Sequence, residues 1–142
     1  MNSVSASVDV HVDPDRAFEV FTAEIDDWYV VDRHTVPDVT RTAAIRFEPR
    51  AGGRLLDVHD LRTGEGRELG RITVWEPGRR LVFTDNQEAE VEVTFEVIGT
   101  ATRVTVEHRG LDRLPPERLA EVRRHGWHRL LDWYRSHLRS MR

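Results

Sequence analysis

From residue 39 the apolar residues recur at every second position, and they do so through six segments before a long helical pattern takes over. The segments are 39–48, 53–60, 67–76, 79–85, 89–98 and 102–109. Ile45/Phe47, Ile72/Val74, Leu81/Phe83, Val91/Val93/Phe95/Val97 and Val104/Val106 each fall on one face of a strand, because successive side chains alternate sides. Glu90, Glu92, Thr94 and Glu96 fill the alternate positions of the fifth segment, which predicts a strand wet on one side only. Turn residues stand between segments, at 49–53, 64–66, Pro77-Gly78 and Gly99-Thr100. Connections this short force antiparallel neighbours, since a parallel crossover takes about a dozen residues or more.

Pro115-Pro116-Glu117 opens the helical pattern, in which Leu119, Val122, Trp127, Leu130, Leu131, Tyr134 and Leu138 step by three and four. A helix over 115–139 is roughly 36 Å long at 1.5 Å per residue, enough to cross a whole sheet. At the other end, Val4, Val8, Val10 and Val12 alternate as a first strand. Asp13-Pro14 then supplies a cap and a first-turn proline, and Ala17, Phe18, Phe21 and Ile25 keep helical spacing over 13–25. A second short helical turn is expected at 26–29 and a loop at 32–38. The order predicts an α+β fold: a curved antiparallel sheet packed on a long C-terminal helix, in one domain spanning 1–142.

Composition removes many chemistries. There is no cysteine, which excludes disulfides, thiolate metal sites and cysteine nucleophiles. All 21 basic residues are arginine, which excludes Schiff-base chemistry and a P-loop lysine. Serine occurs only at 3, 5, 7, 136 and 140, with no nucleophile elbow. A net charge of −4 argues against nucleic acid as a partner. Residues 1–102 are acidic and residues 103–142 basic, which gives either complementary solvated faces or a basic docking surface. No apolar run reaches the length of about 18 that would suggest a membrane span, and the first residues carry no signal-peptide pattern; a cytoplasmic protein is expected.

Gly52-Gly53 reads as a strand-entry turn, because no helix follows it to receive a phosphate. His125 and His128 stand three apart, yet no third ligand completes a metal site, so no metal is expected. Parity places His108 with Val104 and Val106, Asp57 and His59 with Leu55, and Asp85 with Leu81 and Phe83. On the concave side these groups would converge on one pocket, where a buried carboxylate beside a histidine can move protons. The competing reading sets each at the rim or in a structural hydrogen bond. Asp57, His59 and His108 are therefore the catalytic candidates. Trp28, Tyr29, Phe83, Asp85, Phe95, His108, Trp127 and Tyr134 are the candidate ligand contacts, the aromatics combining flat apolar faces with polar handles.

The element order, together with residues 14–22, Trp28, 47–54, 70–77, 80–84, 91–95, 102–110 and Gly126-Trp127, resembles the helix-grip fold of the START/Bet v 1-like (SRPBCC) superfamily. Within it the chain is most similar to bacterial members of the Hsp90 ATPase activator-homologue family. Tyr29 and Asp85 depart from that pattern, Tyr29 standing where the family often has a second Trp and Asp85 where an aromatic commonly follows the 81–84 strand. The resemblance implies a cavity between sheet and helix, and with it a small-molecule binding protein for an apolar or aromatic ligand. The first alternative it implies is a cyclase- or hydrolase-like enzyme of secondary metabolism, using Asp57, His59, His108 or Tyr29 in the same cavity. A second is a co-chaperone-like interaction protein with a surface around Arg123, Arg124 and Arg129; the lack of the extra N-terminal domain of eukaryotic co-chaperones speaks against a chaperone partner. The expected state is a monomer or homodimer with no cofactor and no membrane partner.

Overall fold

The computed structural model describes residues 3–31, 35–36, 38–85 and 89–141, apart from the side chains of residues 121 and 124–126. The elements run β1 (Ser3–Val10), α1 (Pro14–Thr22), α2 (Ile25–Trp28), β2 (Ala44–Phe47), β3 (Arg54–Val58), β4 (Gly66–Glu76), β5 (Arg80–Asp85), β6 (Glu90–Ile98), β7 (Ala101–Arg109) and α3 (Pro116–Ser140), with one 3-10 turn at Leu111–Arg113. The seven strands form one antiparallel sheet in the order β1-β7-β6-β5-β4-β3-β2. That is the helix-grip architecture.

Local chemistry sets the element ends. The Asp13 carboxylate accepts the Arg16 backbone N–H at 2.8 Å and Pro14 opens α1, as a capped helix start requires. The helix expected over 13–25 ends earlier, at Thr22, and the second short helical turn takes in Ile25. The Thr22 hydroxyl donates to the Phe18 carbonyl at 2.8 Å, a back-bond that bends helices, and the chain restarts at Ile25. The segment expected over 39–48 also starts later than its period suggests. Asp38 accepts the backbone N–H of Thr40 at 3.1 Å and its hydroxyl at 2.6 Å, so residues 38–41 turn before β2 begins.

Two bulges bend β4. Leu55 pairs with Gly70 and Leu56 with Glu68, which leaves Leu69 as an extra residue; Ile72 pairs with Phe83 and Val74 with Val82, which leaves Thr73 as another. A bulge adds a residue to one strand only and so increases local bend and twist. The second one corrects the sequence reading. Ile72 and Val74 do not share a face: Ile72 joins Phe83 inside, whereas Val74 lies beside Val82 on the other side. Beside the first bulge, Gly70 lets the strands close up, since a Cβ there would sit 2.2 Å from the Thr84 carbonyl oxygen. Gly52, with φ +84°, makes the β2–β3 turn, as expected of a strand-entry turn.

The concave face and the helices enclose the main core. Tyr134 of α3 is fully buried, with its ring 5.3 Å from those of both Phe21 and Trp28. Its hydroxyl donates to the Ala17 carbonyl at 2.7 Å, and burial pushes the phenol pKa well up, so it stays a donor. Leu131, Leu81, Val93, Val104 and Val106 complete the dry centre. Ala89, Leu111, Leu114 and Val122 form a smaller cluster under the start of α3. On the convex face Arg109 pairs with Glu90, Glu92 and Glu107, which matches the one-sided wetness of the β6 pattern. Among the described residues no helix is long and apolar enough to cross a membrane.

The β2–β3 turn carries a pH-dependent clamp. Glu48 receives the Arg54 guanidinium at 2.9 and 3.0 Å and the Arg54 backbone N–H at 2.7 Å. The Arg54 guanidinium holds the Glu48 carboxyl at about 2, below its ordinary 4.5. Because the folded value is depressed, the stabilisation is present above pH 4.5 and is lost as pH falls toward 2. Glu48→Gln is therefore expected to lower the melting temperature at pH 7, with the difference from wild type closing between pH 4.5 and 2 in thermal melts.

Candidate functional site

The helix covers the sheet unevenly. α3 makes its closest approach to β1, at one edge, and also meets α2. Several apolar residues that pack against the core are only half-buried, among them Trp127, Leu130 and Trp133 on α3, Phe47, Leu55 and Leu69 on β2–β4, and Tyr29 just after α2. Tyr29 and Trp133 meet edge to face at 6.3 Å, Phe47 and Phe83 at 5.6 Å, and the Arg129 guanidinium lies 4.8 Å over the Trp133 ring.

Parity placed His108 correctly on the inner face, where it is 2% exposed, beside Val106. Both of its ring nitrogens are engaged. The Trp127 indole N–H donates to Nδ1 at 3.2 Å, and Nε2 faces Asp85 Oδ2 at 3.4 Å. An indole can only donate, so Nδ1 accepts and the ring proton sits on Nε2, toward the carboxylate. Asp85 Oδ1 accepts the Ala89 backbone N–H at 3.0 Å. One polar chain thus joins α3, β7 and the end of β5.

Asp57 and His59 form a second pair, two strands away. Asp57 shares its face with Ile45, its partner on β2, and is fully buried. Its Oδ1 accepts the Thr42 hydroxyl at 2.7 Å; Oδ2 has no hydrogen bond and lies 3.5 Å from His59 Nε2. His59 opens onto a shallow depression of about 560 Å³ with Thr40, Arg41, Asp60, Glu65 and Gly66. The two acids and two histidines that parity drew together therefore sit as two separate pairs, because each carboxylate holds its own neighbour.

The remaining candidates divide by depth. Trp28 and Tyr134 are buried with their polar atoms spent on the Val20 and Ala17 carbonyls. Phe83 and Phe95 lie on the floor of the core. Tyr29 is half-buried, its hydroxyl 3.4 Å from the Thr35 carbonyl. His128 is exposed, and the side chains of His125, Gly126 and Arg124 lie outside the described residues, as does His34. Leu55, Leu69, Leu130 and Trp133 were not among the candidates. The step of three from Trp127 to Leu130 to Trp133 was readable, whereas the place of Leu69 depends on a bulge that no periodicity shows.

A curled seven-stranded antiparallel sheet gripping a C-terminal helix defines the class, the helix-grip proteins of the SRPBCC superfamily. The chain belongs to the family described as Activator of Hsp90 ATPase homolog 1-like protein, whose sequence profile matches residues 11–138. Among solved structures it is similar to protein NE0264 from Nitrosomonas europaea (TM-score 0.71, 14% identity, 99% of this chain and 96% of that one). It is also similar to CalC from Micromonospora echinospora, a self-sacrificing resistance protein (0.68, 25%, 99% and 96%). A third likeness is to the Aha1 dimer from Colwellia psychrerythraea (0.62, 11%, 97% and 96%). The first and third, at such low identity, speak to the fold alone. No curated protein matches the sequence.

Trp127→Phe keeps an aromatic ring and removes, among the described residues, the one donor to a buried imidazole nitrogen. A loss of about 1–3 kcal/mol is expected in denaturant melts, the usual cost of an orphaned buried acceptor. A loss under about 0.5 kcal/mol would show that water reaches Nδ1 and that the chain through His108 is not closed.

Proposed function

We propose that the protein captures an apolar, flat small molecule between α3 and β2–β4 without converting it. The half-buried border formed by Tyr29, Phe47, Leu55, Leu69, Trp127, Leu130 and Trp133 carries this reading. A ligand entering there would rest on Phe83 and Phe95, meet Trp127 and Tyr29 at the mouth, and have Trp28 and Tyr134 behind it as rigid wall. Asp85 and His108 would offer the polar end. Both His108 nitrogens are engaged within the protein, which supports a role in shaping that end rather than in moving protons. The likeness to a self-sacrificing resistance protein adds one version of capture, protection of the cell from the captured compound.

A second reading rests on a separate observation. Asp57 carries a buried carboxylate oxygen without a hydrogen bond, next to His59, and such an arrangement can serve acid–base catalysis. Loss of turnover in Asp57→Asn at unchanged stability would favour it.

Native mass spectrometry of freshly purified protein would show a co-purified molecule and count the subunits, which bears on the dimer seen for one structural relative. Titration with a fluorescent anilinonaphthalene sulfonate gives the quantitative test. Leu130→Glu and Trp133→Ala are each expected to weaken binding about tenfold, equivalent to about 1.4 kcal/mol. Binding unchanged in both variants would place the probe elsewhere and overturn the reading.

A further inference from the structure

We infer that Glu24, Asp27 and His137 form a binding site for a divalent transition-metal ion, with Zn²⁺ the ion their donor set suits. One oxygen from each carboxylate and one imidazole nitrogen lie within 4.8 Å of one another, the one such group among the described residues. Glu24 stands just before α2 and Asp27 within it, three residues apart, a spacing that puts both on one side of a helical turn. His137 comes from the last turns of α3.

An independent observation points to a missing ligand. His137 Nε2 is shielded from solvent and has no hydrogen-bond partner. It faces Glu24 Oε1 at 3.7 Å, too long for a hydrogen bond. Zinc bonds of about 2.0–2.2 Å in tetrahedral geometry set neighbouring donors about 3.4 Å apart, so this pair is already spaced for a shared ion. An ordinary ion pair between His137 and Glu24 would close that gap, and it would give Asp27 no part.

The surroundings fit a metal ligand set. The Arg16 guanidinium pairs with the other oxygen of Glu24, as outer partners of coordinating carboxylates do, which leaves Oε1 turned toward His137. Asp27 is exposed, so water can complete the coordination. A nitrogen donor with two carboxylates selects Zn²⁺ over Mg²⁺, which prefers oxygen alone and keeps its waters. The bound ion would tie the α1–α2 corner to the end of α3.

The test is calorimetric titration of the full chain with Zn²⁺ in metal-free buffer, with Mg²⁺ as the control and thermal melts alongside. One Zn²⁺ per chain and no Mg²⁺ binding are expected, with a rise in melting temperature on adding Zn²⁺. Asp27→Asn, at an exposed position that does not threaten the fold, and His137→Gln are each expected to weaken Zn²⁺ binding at least tenfold and to abolish the thermal shift. No saturable Zn²⁺ binding, or binding equally tight in both variants and so located at other histidines, would overturn the site.

Discussion

A sheet that bends away from a single helix cannot be filled by it along its whole width, and the rest of this molecule follows from that mismatch. The bend comes from the two extra residues of β4, Leu69 and Thr73, and from the glycine that lets β4 and β5 close up. α3 settles against β1 and also meets α2. The aromatics of α1 and α2 fill one end of the space, and Tyr134 pins the helix there through the Ala17 carbonyl. At the other end the apolar surface stays half-wet. The fully buried and the half-buried apolar residues thus occupy different parts of the same core.

The polar groups of that face follow the same division. The centre tolerates only side chains whose hydrogen bonds are complete, as for Trp28 and Tyr134. His108 meets this rule by accepting from Trp127 and facing Asp85. Asp57 does not meet it in full: its Oδ2 is buried without a hydrogen bond, at a desolvation cost.

Most of the fold was legible because period and turn chemistry are local. Six alternating segments, a capped short helix and a long amphipathic one are written in residue order, and the inward placement of His108 followed from Val104 and Val106 alone. What was not legible depends on contacts between distant residues. The bulge at Thr73 reverses the face of Val74, and nothing near Val74 announces it. The exact boundary between α1 and α2 turns on how the Thr22 hydroxyl chooses its acceptor. Whether the acids and histidines converge was not legible, because parity tells which face a residue takes and not how far apart two strands stand. Trp133 was passed over because a half-buried aromatic on a helix has the same spacing as a buried one.

The bulges also set how the molecule can yield. Each interrupts the backbone ladder on one side of β4, at Leu69 against β3 and at Thr73 against β5, so stiffness along the sheet is lowest there. The strands outside these points, β2 and β3 with the first half of β4, form a small leaf attached to a rigid frame of β5, β6, β7 and β1. Bending at that crease would shift Phe47 and Leu55 against Phe83 while the Tyr134 anchor stays in place. The same two residues that give the sheet its shape therefore give it a direction of compliance.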